Sequence, residues 1–249
     1  MWWRYDFATT QFPGVTTNTT DLAWRREKKM AIENGNERRI LLWSMLLSSL
    51  VGLSIWYIRR LVNAPVNEWF SETVVMFSYF TNLTNLVIVV MMAALLAGKG
   101  RLYRWFSSPV VQTAWCLYIA FVGIGFWFIL GGPQNISSWF FWIPEITAHT
   151  LSPILGVVFW YRCVERGDVN GRHPFIWLVY PLGYLFYWLI RGPLVGYYPY
   201  FFVDVNRLGY GGVAIWSGAL IVVFLILGSI MWRVDVWQAN KQVRVSAAD

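Results

Sequence analysis

Long apolar runs that carry almost no charge constrain this chain more than any other feature. A hydrocarbon core of about 30 Å takes about 20 apolar residues as a helix, with roughly 17–25 tolerated. Six windows meet that length, at 40–58, 74–97, 110–130, 143–161, 174–190 and 213–232. Lipid offers no hydrogen bonds to a backbone, so such runs fold as helices that satisfy their own N–H and C=O groups. The expected fold is therefore all-α: a polytopic membrane domain of six transmembrane helices over 40–232. A basic segment, 1–39, precedes it and a short tail, 233–249, follows.

Composition agrees. Only 13% of the 249 residues are charged, against 57% hydrophobic and 19% aromatic. A soluble domain carries about 25% charged residues. The deficit excludes an ordinary soluble enzyme, a disordered chain and the usual kind of nucleic-acid-binding domain. The net charge of +7 reads instead as topology and lipid contact, because 16 of the 20 Lys and Arg fall on one side of the six windows. The positive-inside rule then puts both termini in the cytoplasm of a plasma membrane, the inner membrane in a bacterium. No short apolar h-region precedes the first window, so no cleavable signal peptide is expected. Within 21–39, Leu22, Trp24, Met30 and Ile32 fit an interfacial helix whose bases meet anionic headgroups. Cys116 and Cys163 lie in or beside apolar runs and imply no disulfide framework.

Polar residues at membrane depth are costly, so their positions carry information. In the second window, Ser78, Thr81, Asn82 and Asn85 fall within about 100° of one another on a helix, with Thr84 on the flank. Such a stripe is interhelical glue or one wall of a site. In the fourth, Glu145, His149 and Ser152 share about 60° of one face. Pro153 has no N–H for the His149 carbonyl, so a bend is expected there. His149 is the only histidine in any window, which excludes a bis-His haem within one chain and supplies a zinc site poorly. No cofactor or metal is expected. Glu145, one turn away, can fix the imidazole tautomer and raise its basicity. In the fifth, Tyr180, Tyr184, Tyr187 and Arg191 form one stripe, and Arg191 either snorkels or receives an anionic headgroup. Asp204, beyond the aromatic turn, is placed to orient Arg191 or His149. Thr81 and His149 both lie roughly 9–11 Å below the outer interface, counted at 1.5 Å per residue.

Several of these motifs resemble a known family. The six-window layout, Tyr79-Phe80-Thr81, His149-Thr150 before Pro153, and the run from Gly183 to Asp204 are similar to bacterial Pr6Pr-type membrane proteins. More distantly they resemble the eukaryotic androgen-induced-gene-1 family. The resemblance covers about residues 40–235. It implies an intramembrane threonine hydrolase that cleaves fatty acid esters of hydroxy fatty acids, with Thr81 as nucleophile and His149 as base. An alignment shifted by three residues nominates Thr84 instead. The extra histidines that some relatives carry near the end of the fifth span have no counterpart where Arg191-Gly192 stands.

The chemistry is consistent with that implication. A threonine hydroxyl needs a base to take its proton during attack, and His149 is the one side chain of suitable pKa at that depth. Glu145 would hold the imidazole, and the Asn82 or Asn85 amide would stabilise the oxyanion. The expected substrate is a lipid or fatty-acyl ester held by Ser78, Ser152, Tyr184 and Tyr187, with its carboxylate near Arg191 and Asp204. Membrane lipids are the other expected partners, and nucleic acid is not one. The alternative function is a non-catalytic lipid- or anion-binding transporter or sensor that uses the same pocket.

Overall fold

A computed structural model describes residues 35–133 and 139–246. The interfacial helix expected over 21–39 lies almost entirely outside them. All regular structure among the described residues is helical. Four helices are long and apolar enough to cross a membrane: Asn36–Val62, Phe80–Ala97, Pro109–Ile129 and Val205–Lys241. The expected windows 143–161 and 174–190 are also helical, but each is built from shorter pieces.

Helix α1, Asn36–Val62, stops where Asn63 turns its side-chain amide back onto the Arg59 carbonyl (2.7 Å), two residues before Pro65. The second window departs from expectation. One helix over 74–97 is expected, but the chain forms α2, Trp69–Met76, and α3, Phe80–Ala97, with Tyr79 extended between them. No Gly or Pro marks this break. Side chains from distant elements hold it open by taking the backbone groups that a continuous helix would pair. The Ser78 carbonyl accepts from the Tyr184 hydroxyl and Trp188 Nε1, both at 3.0 Å. The Phe80 N–H donates to the Tyr184 hydroxyl (3.1 Å), and the Thr81 N–H to that of Tyr200 (3.4 Å). Helix α3 ends at Gly98, whose φ of 66° is the left-handed geometry that glycine adopts without a Cβ penalty.

After α4, Gly100–Phe106, helix α5, Pro109–Ile124, starts with proline at its first position, where the missing N–H costs nothing. It widens into a π turn over Gly125–Ile129. The fourth window comprises α6, Trp139–Ile146, a second π turn, Thr147–Leu151, and α7, Ser152–Cys163. The expected bend before Pro153 therefore takes the form of a wide turn. A short α8, His173–Ile176, leads into α9, Val179–Val195. Last comes α10, Val205–Ser246, kinked at Gly209.

Small residues let the backbones approach, as helix pairs in lipid require. A Cβ on Gly52 of α1 would meet Thr147 Oγ1 at 2.9 Å and the Ala148 Cβ at 3.1 Å. Beside it, Ser48 donates to the Thr147 carbonyl, and Ser152 bonds both Ser48 and Ser49, each at 3.0 Å. Ser152, offered above as a substrate contact, is thus part of the α1–α7 seam and fully buried. Helix α9 stands off from its neighbours on aromatic side chains. Phe80 contacts the rings of Tyr180, Tyr184, Phe121 and Phe224, with centroids 5.0–6.5 Å apart.

Candidate functional site

The second π turn positions the imidazole. In an α-helix the Ser152 N–H would bond the Ala148 carbonyl; here it reaches back to Thr147. Pro153 cannot supply a replacement, so the Ala148 carbonyl is left without a backbone donor. Asn85 of α3 fills the gap. Its Nδ2 donates to the Ala148 carbonyl (3.4 Å) and to the Thr81 carbonyl one turn up its own helix (3.0 Å). One buried amide therefore links the turn that carries Thr81 to the turn that carries His149. π turns of this kind recur at functional sites.

Within its turn, His149 Nδ1 lies 3.0 Å from Glu145 Oε2, and both side chains are largely shielded, at 12% and 15% exposure. With Nδ1 beside the carboxylate, Nε2 is the nitrogen left for proton transfer. The imidazole also stacks on Phe126, with centroids 4.0 Å apart and planes 12° from parallel. Phe126 belongs to the first π turn, so the two wide turns face each other. Trp127 Nε1 donates to Thr150 Oγ1 (3.1 Å), and a Cβ on Gly123 would meet Pro153 at 2.8 Å.

Phe126 also lines a cleft with an empty volume of about 770 Å³, part of it open to the surroundings. Its walls come from α5, α9 and α10 and are mostly hydrocarbon and aromatic. The Thr81 side chain lines it at the start of α3, together with Tyr184, Tyr200 and Ser217. One ring thus has the imidazole on one face and borders the cleft. A cleft with so few polar groups suits an apolar guest.

The remaining expected residues are arranged as follows. Asn82 Nδ2 donates to the Met76 carbonyl across the α2–α3 break (3.0 Å). With the Asn85 amide likewise committed, neither has a donor aimed at the cleft. Thr84 is fully buried away from the cleft, 3.0 Å from the Tyr180 hydroxyl. Ser78 bonds Tyr187 (2.9 Å) and accepts from Arg191 Nη1 (3.0 Å), forming a separate cluster. Asp204 caps α10, with its Oδ1 accepting from the Arg207 N–H (3.2 Å), and makes no ion pair with Arg191 or His149. The structure thus ties Thr81 and Asn85 of α3 to the turn that carries His149, with Glu145 beside the imidazole, and gathers Ser78, Tyr187 and Arg191 in a separate cluster, with the Tyr184 hydroxyl on the Ser78 carbonyl.

Sequence reasoning missed Phe126 and Tyr200. Phe126 is one aromatic in an apolar run, and nothing local signals that it faces the histidine. Tyr200 belongs to a turn whose fold-back on α3 is set by tertiary packing. Among the described residues no three His, Cys, Asp or Glu side chains come together as metal ligands. Compared with protein-family models, curated proteins and solved structures, the chain matches none.

Proposed function

We propose that this chain is an integral membrane hydrolase of lipid esters in which Thr81 attacks the ester carbonyl and His149 takes its proton. The observation that carries the reading is the Asn85 amide, which registers the Thr81 turn against the His149 turn beside an apolar cleft. The reading includes six passes with both termini cytoplasmic. The pieces of the fourth window, 8, 5 and 12 residues long, are contiguous from Trp139 to Cys163. Helix α9, at 17 residues, is just within the tolerated range of roughly 17–25.

In the first step Thr81 Oγ1 forms a bond to the carbonyl carbon while its proton passes to His149 Nε2, and Glu145 stabilises the imidazolium. Collapse breaks the ester C–O bond, and the departing alkoxide takes the proton from His149. Water then attacks the acyl-threonine, again losing a proton to His149; collapse breaks the acyl–Oγ1 bond, Oγ1 takes that proton back, and the fatty acid leaves. The Tyr200 hydroxyl, which accepts from the Thr81 N–H at the first turn of α3 and keeps its own proton, is the donor beside Thr81 that can face the oxyanion. It takes the role expected of Asn82 and Asn85. Phe126, stacked on the imidazole and lining the cleft, is the ring that would have to move for the imidazole to meet a substrate there.

The same ring favours a second reading. With Phe126 against His149, the cleft is a dry acyl-binding site, and the protein binds lipid without cleaving it. Labelling of the purified chain by a fluorophosphonate probe separates the two. Hydrolase chemistry predicts labelling that is lost in Thr81→Ala and His149→Ala while both variants stay folded. Labelling of Thr81→Ala that disappears in Thr84→Ala would move the nucleophile by one turn. No labelling, with fatty acid still bound, would leave the binding protein.

A further inference from the structure

A second, larger groove lies on the opposite side of α9 from the Thr81 cleft. It has about 1620 Å³ of empty space, part of it open to the surroundings, and is bounded by α2, α3, α5, α8 and α9. From Tyr187 to Val179, both in its wall, α9 advances about 12 Å, close to the roughly 15 Å acyl depth of one leaflet. Val111, Trp115 and Leu83 make its middle apolar. Only one end is strongly polar. There Ser78 and Tyr187 line the groove, and Arg191 Nη1 donates to both.

Arg191 lacks what a shielded guanidinium normally has. Among the described residues no carboxylate pairs with it. Its Nε is buried without an acceptor; Nη1 donates to the Ser78 and Tyr187 hydroxyls, and the guanidinium otherwise meets the faces of Tyr187 and Trp188, 5.7 and 5.5 Å away. A buried donor without a partner calls for an explanation, and a planar two-oxygen anion is the acceptor a guanidinium fits best. Expected above to hold the substrate's carboxylate in the reaction pocket, Arg191 instead stands at the end of a different cavity.

We propose that this groove is a fatty-acid site distinct from the Thr81 cleft. A single acyl chain runs along α9, and its carboxylate sits at Arg191, Ser78 and Tyr187. One cation and one leaflet's depth of groove match a one-chain, singly charged amphiphile. The inference stands on its own cavity and does not depend on the hydrolase reading.

The test measures binding of spin-labelled stearate to the full chain in nanodiscs of neutral phosphatidylcholine. Two variants act on different ends of the site. Arg191→Gln removes the cation. Gly183→Phe fills the groove at low cost, because Gly183 lines it and a Cβ there meets no atom within 4 Å. Each variant is expected to weaken stearate binding about tenfold, which is about 1.4 kcal/mol. Stearyl alcohol is expected not to compete, and Arg191→Lys to restore part of the affinity. Equal competition by the alcohol, or full affinity in Gly183→Phe, would overturn the proposal. Displacement by phosphatidylglycerol at equal or lower concentration would overturn the choice of a fatty acid.

Discussion

Replacing Asn85 with leucine tests the link between the two turns, because the stability terms nearly cancel while the functional term does not. The amide makes two hydrogen bonds through Nδ2, but the acceptors differ. The Thr81 carbonyl remains within the α3 ladder, whereas the Ala148 carbonyl has lost its helical donor to the π turn. Leucine therefore strands one buried carbonyl, at about 1–3 kcal/mol. In the other direction, Asn85 Oδ1 is itself buried without a partner, and its removal recovers a penalty of the same order, about 1–3 kcal/mol. Leucine also fills similar space. The expected net change in unfolding free energy is within about 1.5 kcal/mol of zero, in keeping with the average of about 0.6 kcal/mol for interhelical hydrogen bonds in membranes. Probe labelling is expected to fall at least about tenfold, the equivalent of about 1.4 kcal/mol of barrier, because His149 loses its register with Thr81. Mixed-micelle unfolding and labelling rates on the same preparations provide both numbers. A loss of about 3 kcal/mol or more would refute the cancellation, and unchanged labelling would refute the registration.

Further outcomes follow from the same geometry. Thr84→Val strands the Tyr180 hydroxyl and is expected to cost about 1–2 kcal/mol of stability, read by unfolding, with labelling unchanged. Gly123→Ala drives a Cβ against the Pro153 Cβ at 2.8 Å and is expected to cost about 1–3 kcal/mol, read by unfolding. Phe126→Ala uncovers the imidazole and is expected to raise labelling if ring rotation limits the reaction, with stopped-flow labelling as the readout. Outside the spans, burial holds the His173 pKa below the ordinary imidazole range while its Nδ1 accepts the Asn170 N–H (2.8 Å). A depressed imidazole pKa means the unfolded chain binds the proton first. The loop's stability is therefore full above the ordinary imidazole pKa of 6.5 and falls as pH drops below it. Hydrogen exchange at the Asn170 amide is expected to speed up below that pH beyond the intrinsic trend.

Features with a local cause were legible in the sequence. The bend at His149 follows from Pro153 having no N–H, and the Glu145–His149 pairing from their spacing of four. The stop of α3 at Gly98 and the start of α5 at Pro109 have the usual local chemistry. The break between α2 and α3 was not legible, since Phe77-Ser78-Tyr79 looks like any apolar helix. It exists because Tyr184, Trp188 and Tyr200, more than 100 positions away, satisfy its backbone. The polar stripe of the second window was expected on one face of a single helix, which the structure breaks between Met76 and Phe80. Once the helix is broken, Ser78 and Thr84 turn to the tyrosines of α9, while Thr81 and Asn85 turn to the cleft and the π turn. Arg191 and Asp204 looked like partners because they are close in sequence, yet the Asp204 carboxylate is used to start α10.

Tyr184 contributes to the walls of both cavities, so the two compartments share one side chain as their partition. A guest that presses this ring one way narrows the neighbouring chamber. Thermodynamic reciprocity then requires the second guest to weaken the first by the same factor. A lipid released on one side of α9 would thereby be sensed on the other, with no part of the bundle moving further than a phenol can tilt.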